Sequence, residues 1–391
     1  MNSPALKTPY VAIACGGTGG HLFPGLAVAG ELKRRGCAVA VLISPKDVDQ
    51  QAVKTVIGVK IYTLPAVGLQ NRNYLPFIAS FGRSLFIAWK LFHRRRPDAV
   101  LAMGGFTSAP PVFAAKDSAV KTFLHESNTI PGRSNRFLSR FVDTAFIGFP
   151  EAAATLRAKK TVVTGTPVRA QFLSGFRIQN PESSCRKTLG LDPNLPTVLV
   201  VGGSQGAHGL NLLILSALPL FVGKNWQWLH LTGAKDFELV HSAYARLGLN
   251  SVVKPFLAEM DLALGAATIC VSRAGASSLA EIAALRLPSA LVPLPTAADN
   301  HQSFNAAAFA RTGAAVLLDQ KNSPPEKVAA VLTELMTSEA SRTRIQNALG
   351  QWHAPNAAAE IAGHILAAIT QSHRLEAKPP VGDEMKLKIV T

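Results

Sequence analysis

The chain has 391 residues, 48% apolar and 16% charged, a composition that fits two globular domains and excludes a disordered or fibrous protein. Met1 to Tyr10 lead into a strand pattern without a signal-peptide core, and no uninterrupted apolar run reaches spanning length, so the chain is expected to stay in the cytoplasm. Its net charge of +16 is lopsided: residues 1–160 carry 21 Lys/Arg against 8 Asp/Glu, net +13, a field that attracts nucleic acid, an anionic membrane or a polyanionic substrate.

A predicted first strand from Val11 runs into Gly16-Gly-Thr-Gly-Gly-His21 and then a helical pattern through Lys33. Four glycines in five positions let backbone N–H groups approach a ligand, and the helix start adds positive potential. A dinucleotide fingerprint is excluded because Leu22 stands where its third glycine belongs. His21 is the unusual member, since an imidazole titrates near neutral pH and suits proton transfer from a hydroxyl. Further strands are predicted over 39–44, 60–64, 99–103, 121–125 and 144–147, separated mostly by helical patterns, which argues a parallel sheet covered on both faces. Asp47-Val-Asp49, after the second strand, has the Asp-x-Asp form of metal-dependent transferases but reads as a solvated loop, and no metal is expected. Cys15, Cys37, Cys185 and Cys270 show no paired or metal-type spacing and read as buried, reduced thiols.

The stretch from Leu75 to Arg96 reads as an amphipathic helix, with Phe77, Ile78, Phe81, Leu85, Trp89 and Phe92 on one arc and Arg83, Lys90 and Arg94 opposite. A crossover helix packed on the sheet explains the arc; Leu69, Tyr74, Leu75 and Phe77, expected in a loop at its start, fit contact with anionic lipid. Nucleic acid is not favoured, because aromatics and basic residues are not interleaved as stacking platforms. After a polar, proline-containing stretch over 179–196 the opening theme returns. A strand from Thr197 feeds Gly202-Gly-Ser-Gln-Gly-Ala207 and a helix over 210–218, which implies a second Rossmann-like domain and a ligand cleft at the carboxyl ends of the strands. A strand over 268–272 leads through Arg273-Ala-Gly-Ala276 to a helix expected to start near Leu279, capped by Ser277 or Ser278, its N–H groups facing a diphosphate. Glu281 suits a ribose diol or the helix dipole, and Gln302 and Asn305 after the next strand carry the donors and acceptors that read sugar hydroxyls.

Taken together, Gly16-Gly-Thr-Gly-Gly-His21 with Pro24, Met103-Gly-Gly-Phe106, His125-Glu-Ser-Asn128, Gly165-Thr-Pro-Val-Arg169, Gly202-Gly-Ser-Gln-Gly-Ala207, Arg273-Ala-Gly-Ala276, Glu281-Ile-Ala-Ala284 and Asp299-Asn-His-Gln302 occur in the order seen in glycosyltransferase family 28. The sequence resembles that family's peripheral-membrane N-acetylglucosaminyltransferases of peptidoglycan synthesis over about residues 10–365. The resemblance implies an α/β GT-B fold, two Rossmann-like domains with parallel sheets facing across a cleft. The N-terminal domain, 1–164, would receive the acceptor and face the membrane. The C-terminal domain, 165–370, would hold UDP-N-acetylglucosamine, with the last helix returning to the first domain and 371–391 a flexible tail.

By the same resemblance, Thr18, Gly19, Gly20, Asn128, Arg169, Ser204, Leu257, the run Ala276, Ser277, Ser278, Leu279, Ala280 and Glu281, and Gln302 contact the donor. Ser127 and Thr166 depart from the family's usual glutamine and asparagine. The implied reaction is displacement of UDP, with inversion, by the C4 hydroxyl of undecaprenyl-diphosphate-N-acetylmuramoyl-pentapeptide. His21 is the first candidate for the base, Asp299 the second and Glu126 the third. No cofactor is implied. The expected partners are the two substrates, an anionic membrane surface and other cell-envelope synthesis proteins, at the cytoplasmic face of the inner membrane. Rival readings are a related GT-B glycolipid transferase, a UDP-N-acetylglucosamine epimerase and a noncatalytic nucleotide-sugar binding protein.

Overall fold

The computed structural model describes residues 8–54, 58–66, 74–118, 120–173, 179, 181–203 and 206–376. Ser204 and Leu69 therefore lie outside the described residues, as does the sequence beyond 376. The strands β1 Tyr10–Ala14, β2 Ala38–Ile43, β3 Lys60–Thr63, β4 Ala99–Ala102, β5 Lys121–Glu126, β6 Thr144–Ile147 and β7 Lys160–Val163 form one parallel sheet in the order β3-β2-β1-β4-β5-β6-β7. A second parallel sheet orders β8 Thr197–Val201, β9 Gln227–Leu231, β10 Ser251–Lys254, β11 Ile269–Ser272, β12 Ser289–Leu291 and β13 Val316–Leu317 as β10-β9-β8-β11-β12-β13. All residues of β1 are buried, the continuous apolar reading that a strand covered on both faces requires.

Helices of the first half are α1 Gly19–Arg34, α2 Asp47–Ala52, α3 Tyr74–Arg94, α4 Ala109–Asp117 and α5 Arg133–Leu138. Those of the second are α6 Glu182–Thr188, α7 His208–Ala217, α8 Phe237–Arg246, α9 Met260–Ala266, α10 Ala276–Ala284, α11 His301–Arg311, α12 Pro325–Thr337, α13 Glu339–Leu349 and α14 Ala357–Glu376. On one face of the first sheet Leu22, Val28 and Leu32 of α1 pack with Ile361, Ile365 and Ile369 of α14. The other face is covered by Ala88 and Phe92 of α3 and Ala114 and Ala115 of α4. The last helix thus belongs to the core of the first sheet, and it runs to Glu376, past the point where a tail was expected. All four cysteines are buried.

Three local expectations need correction. Asp47 and Asp49 lie on α2, not in a solvated loop, and Asp49 is fully buried. Tyr74, Leu75 and Phe77 begin α3 rather than a loop. The buried face of α3 is Ser84, Ala88 and Phe92, while Leu75, Ile78 and Phe86 are more than 60% exposed and Trp89 is 40% exposed. The apolar stripe is wider than the groove that receives it, so its N-terminal half stays outside. By length and composition alone α3 would cross a membrane. Both its ends, however, feed strands of one sheet, β3 and β4, and it packs along α4.

Candidate functional site

The carboxyl ends of β1, β4 and β5 form one wall of the cleft, and the first glycine turn is its centre. A side chain at Gly16 would meet Ser44 N at 2.7 Å. Gly17 sits at φ +92°, where a Cβ would also strike the Phe106 ring at 2.9 Å. Thr18 then ends the extended run at φ −156°, and its carbonyl accepts from the N–H groups of His21 and Leu22, both at 3.1 Å, which starts α1. The His21 ring lies against Gly104 and Gly105 beyond β4, where a Cβ at Gly104 would come within 2.9 Å of Cε1. Its Nδ1 is buried beside the Met103 backbone without a well-formed hydrogen bond. Burial drives the His21 pKa below the ordinary imidazole value; Glu126 and Asp49 oppose this, and His301 adds to it. A neutral ring at neutral pH is a proton acceptor.

At the end of β5 the sequence-expected residues divide their work. Glu126, 1% exposed, accepts from Asn128 N at 2.8 Å, Asn128 Nδ2 at 3.0 Å, Gly132 N at 3.0 Å and Asn135 Nδ2 at 2.8 Å. A carboxylate so engaged organises its loop. Asn128 is held by it and turns its carbonyl to Asn305 Nδ2 at 3.0 Å, on α11 of the other half. Asn305 Oδ1 also accepts from Thr129 N at 2.9 Å. Asn305, which the sequence offered as a reader of sugar hydroxyls, is instead buried with both ends of its amide engaged within the protein, a stitch between the halves. Ser127 Oγ reaches His125 Nδ1 at 3.3 Å, and burial lowers the His125 pKa to about 4.

The facing wall is built on the second sheet. Its α10 starts at Ala276 with Gly275 in the capping position and no side-chain cap, so neither Ser277 nor Ser278 caps it as expected. A Cβ placed on Gly20 would lie 3.9 Å from Ser277 Oγ, which brings the first glycine turn and the α10 N-terminus together across the cleft. Leu279 is core, Ala276 is buried and Ala280 packs against the core, while Ser277 and Ser278 are half-buried. Glu281 pairs with Arg169 Nη2 at 3.1 Å, and that guanidinium lies over Phe23 and Phe172 at 4.6 and 4.8 Å. Burial raises the Glu281 pKa and Arg169 opposes it.

Leu257 is 9% exposed, and Gln302 Oε1 accepts from Leu294 N at 3.0 Å. Arg273 donates to the carbonyls of Val292 and Pro293 and to Gln320, bracing the strand ends. Asp299, at φ 50°, is clasped by Arg133 Nη2 at 2.9 Å and Arg136 Nη2 at 2.7 Å of α5. These guanidiniums lower its pKa, so it is a poor proton acceptor and a good bridge between the two halves.

Residues 11–147 match the model of the glycosyltransferase family 28 N-terminal domain, and 197–362 that of the family's C-terminal domain. The chain is 36% identical over 356 residues, 90% of either chain, to a UDP-N-acetylglucosamine–N-acetylmuramyl-(pentapeptide) pyrophosphoryl-undecaprenol N-acetylglucosamine transferase of Anaeromyxobacter dehalogenans. It is 34% identical to a transferase of the same description from Halalkalibacterium halodurans, covering 90% of this chain and 97% of that one. The crystal structure of Acinetobacter baumannii MurG superposes with a TM-score of 0.70 at 28% identity, covering 92% of this chain and 99% of that one. A UDP-N-acetylglucosamine 2-epimerase structure superposes with a TM-score of 0.66 at 14% identity, covering 95% and 99%, a likeness of fold alone.

Proposed function

The chain belongs to glycosyltransferase family 28, and from that premise we propose that it moves N-acetylglucosamine from UDP-N-acetylglucosamine to the C4 hydroxyl of undecaprenyl-diphosphate-N-acetylmuramoyl-pentapeptide. It is a hexosyltransferase of GT-B fold. The observation that carries the reading is the meeting of the first glycine turn with the α10 N-terminus, so close that a side chain added at Gly20 would reach to 3.9 Å from Ser277 Oγ. A base for the acceptor hydroxyl and a positive helix end for the departing diphosphate then share one gap. His21 takes the C4 hydroxyl proton as oxygen attacks the anomeric carbon, and the configuration inverts. The α10 N–H groups and Arg169 receive the charge that develops on UDP, a stabilisation that grows toward the transition state. Glu281 then exchanges its Arg169 partner for the ribose hydroxyls, and Thr18 to Gly20, Asn128, Ser204, Leu257 and Gln302 line the donor.

Incubation with labelled UDP-N-acetylglucosamine tests this. Label is expected in the prenyl-diphosphate-muramoyl peptide and not in diacylglycerol; conversion of the nucleotide sugar with no acceptor present would establish an epimerase instead.

The proposed place of work is the cytoplasmic face of the plasma membrane, with α3 as the peripheral contact and the lipid-linked acceptor as the reason for it. Tyr74, Leu75 and Ile78, 55–81% exposed, form an apolar point with Arg83 behind it. A train of rings, Phe81 to Phe113 and Phe113 to Phe137, links it to α5, whose Arg133 and Arg136 sit at the cleft. The Leu75→Asp/Ile78→Asp double variant is expected to abolish flotation with anionic liposomes, and high salt to weaken flotation of the parent. Unchanged flotation in both would make this half of α3 an ordinary exposed helix.

A further inference from the structure

The Asp-x-Asp pair read from the sequence as solvent-facing contains a buried carboxylate that the transfer step as described does not use. Asp49 is fully buried on α2, and its Oδ2 accepts from Gly17 N at 2.6 Å and from Ser44 N and Oγ. Two further bonds hold the same turn: Lys46 Nζ donates to Gly17 O at 2.8 Å, and Thr107 Oγ1 to Gly16 O at 3.1 Å. Glycine runs have the most conformational freedom to lose, so a turn of four glycines keeps one shape only if its peptides are held from outside. The second carboxylate oxygen, Oδ1, is buried without a partner. An isolated unpaired carboxylate oxygen is costly. The fold tolerates it at the one place where the turn leading to His21 needs an acceptor. The Gly17 N–H is thereby occupied by the Asp49 carboxylate, so this amide serves the scaffold and not a ligand.

We propose that Asp49 is a positioning residue for the transfer: it fixes the first glycine turn through Gly17 and thereby the place of His21, four residues on. The proposal rests on His21 being the base for the acceptor hydroxyl. Among the described residues, the titratable groups that face His21 are Glu126 and His125 of β5, Asp49 of α2 and His301 of α11, so Asp49 also adds negative charge beside the ring. A misplacement of a reacting group by about 1 Å costs on the order of 100-fold in rate.

The test compares Asp49→Asn, which keeps an acceptor oxygen, with Asp49→Ala, which removes it, and Asp49→Glu, which keeps the charge but displaces it by a methylene. Amide hydrogen exchange over residues 16–22 is expected to speed up at least tenfold in the alanine variant and to stay near the parent in the asparagine variant. With both substrates, Asp49→Ala and Asp49→Glu are expected to lower kcat by about 50-fold, and Asp49→Asn by less than about fivefold. UDP affinity is expected to hold within about twofold throughout, since the α10 N-terminus proposed to take the diphosphate belongs to the second domain and makes no bond to Asp49. In a His21→Ala background the Asp49→Ala penalty is expected to shrink below about threefold, because the residue acts through the imidazole. Unchanged exchange in Asp49→Ala overturns the proposal, and so does a kcat penalty that carries over in full to the His21→Ala background. A parent protein that does not glycosylate the lipid-linked acceptor overturns the functional reading alone, and the exchange comparison still decides whether Asp49 holds the turn.

Discussion

His21→Ala is expected to lower kcat by about three orders of magnitude, within the range that a positioned general base contributes, while UDP binding stays within about twofold. The imidazole stands on the first turn of α1 against Gly104 and Gly105, on the wall opposite the nucleotide helix, so its loss leaves the donor side intact. The pH profile carries a second signature. Burial pushes the His21 pKa down, so the acid limb of kcat/KM, which reports the free enzyme, is expected below the ordinary imidazole value of about 6.5. Isothermal titration with UDP and steady-state rates over a pH series check both. A kcat within tenfold of the parent would remove His21 from the chemistry.

Glu126→Ala is expected to cost about 2–6 kcal/mol of stability, because each buried donor left without an acceptor costs about 1–3 kcal/mol and two of the four that the carboxylate serves cannot turn to another partner. Two are backbone amides, Asn128 N and Gly132 N, which have no rotamer by which to find another partner. A loss of that size is a large share of the 5–15 kcal/mol that holds a typical domain folded. It corresponds to a fall in melting temperature on the order of 10 °C. Activity is expected to fall as well at temperatures where the variant is folded, since Asn128 loses the anchor that turns its carbonyl to Asn305. Calorimetry that places the variant within about 2 °C of the parent would show that Glu126 is dispensable to the loop.

The site was legible in the sequence wherever a strand fed a glycine turn and a helix. That signal is local: buried apolar residues, then glycines, then a helical period, as in 10–34 and 269–284. Pairings made by the fold were not legible. Asp299 meets Arg133 and Arg136 across more than 160 residues of chain, and Asp49 meets Gly17 across 32. A polar run with two acids and a lysine looks the same whether its carboxylate faces water or a backbone amide brought in by another element. Helical periodicity likewise marked α3 as amphipathic without saying how wide a groove would receive it, so Ile78 and Trp89 were assigned to the covered arc and stand outside it. The α10 start was misjudged by three residues because serines attract a capping reading, whereas Gly275 takes the extended cap conformation, φ −68° and ψ 135°.

The return of α14 to the first sheet has a consequence for biosynthesis. Ile361, Ile365 and Ile369 complete a core whose other members are mostly made before residue 150. The roughly 190 residues between β7 and α14 take about 10–40 s to synthesise at 5–20 residues per second. During that interval the nascent first domain shows the ribosome-side milieu an uncovered apolar face beside Leu22, Val28 and Leu32. The second domain, whose core draws on no strand of the first sheet, has its own elements complete by Leu349, ahead of the helix that seals its predecessor. The order of emergence and the order of completion are therefore reversed, and a chain cut short before α14 leaves unfinished the domain that was made first.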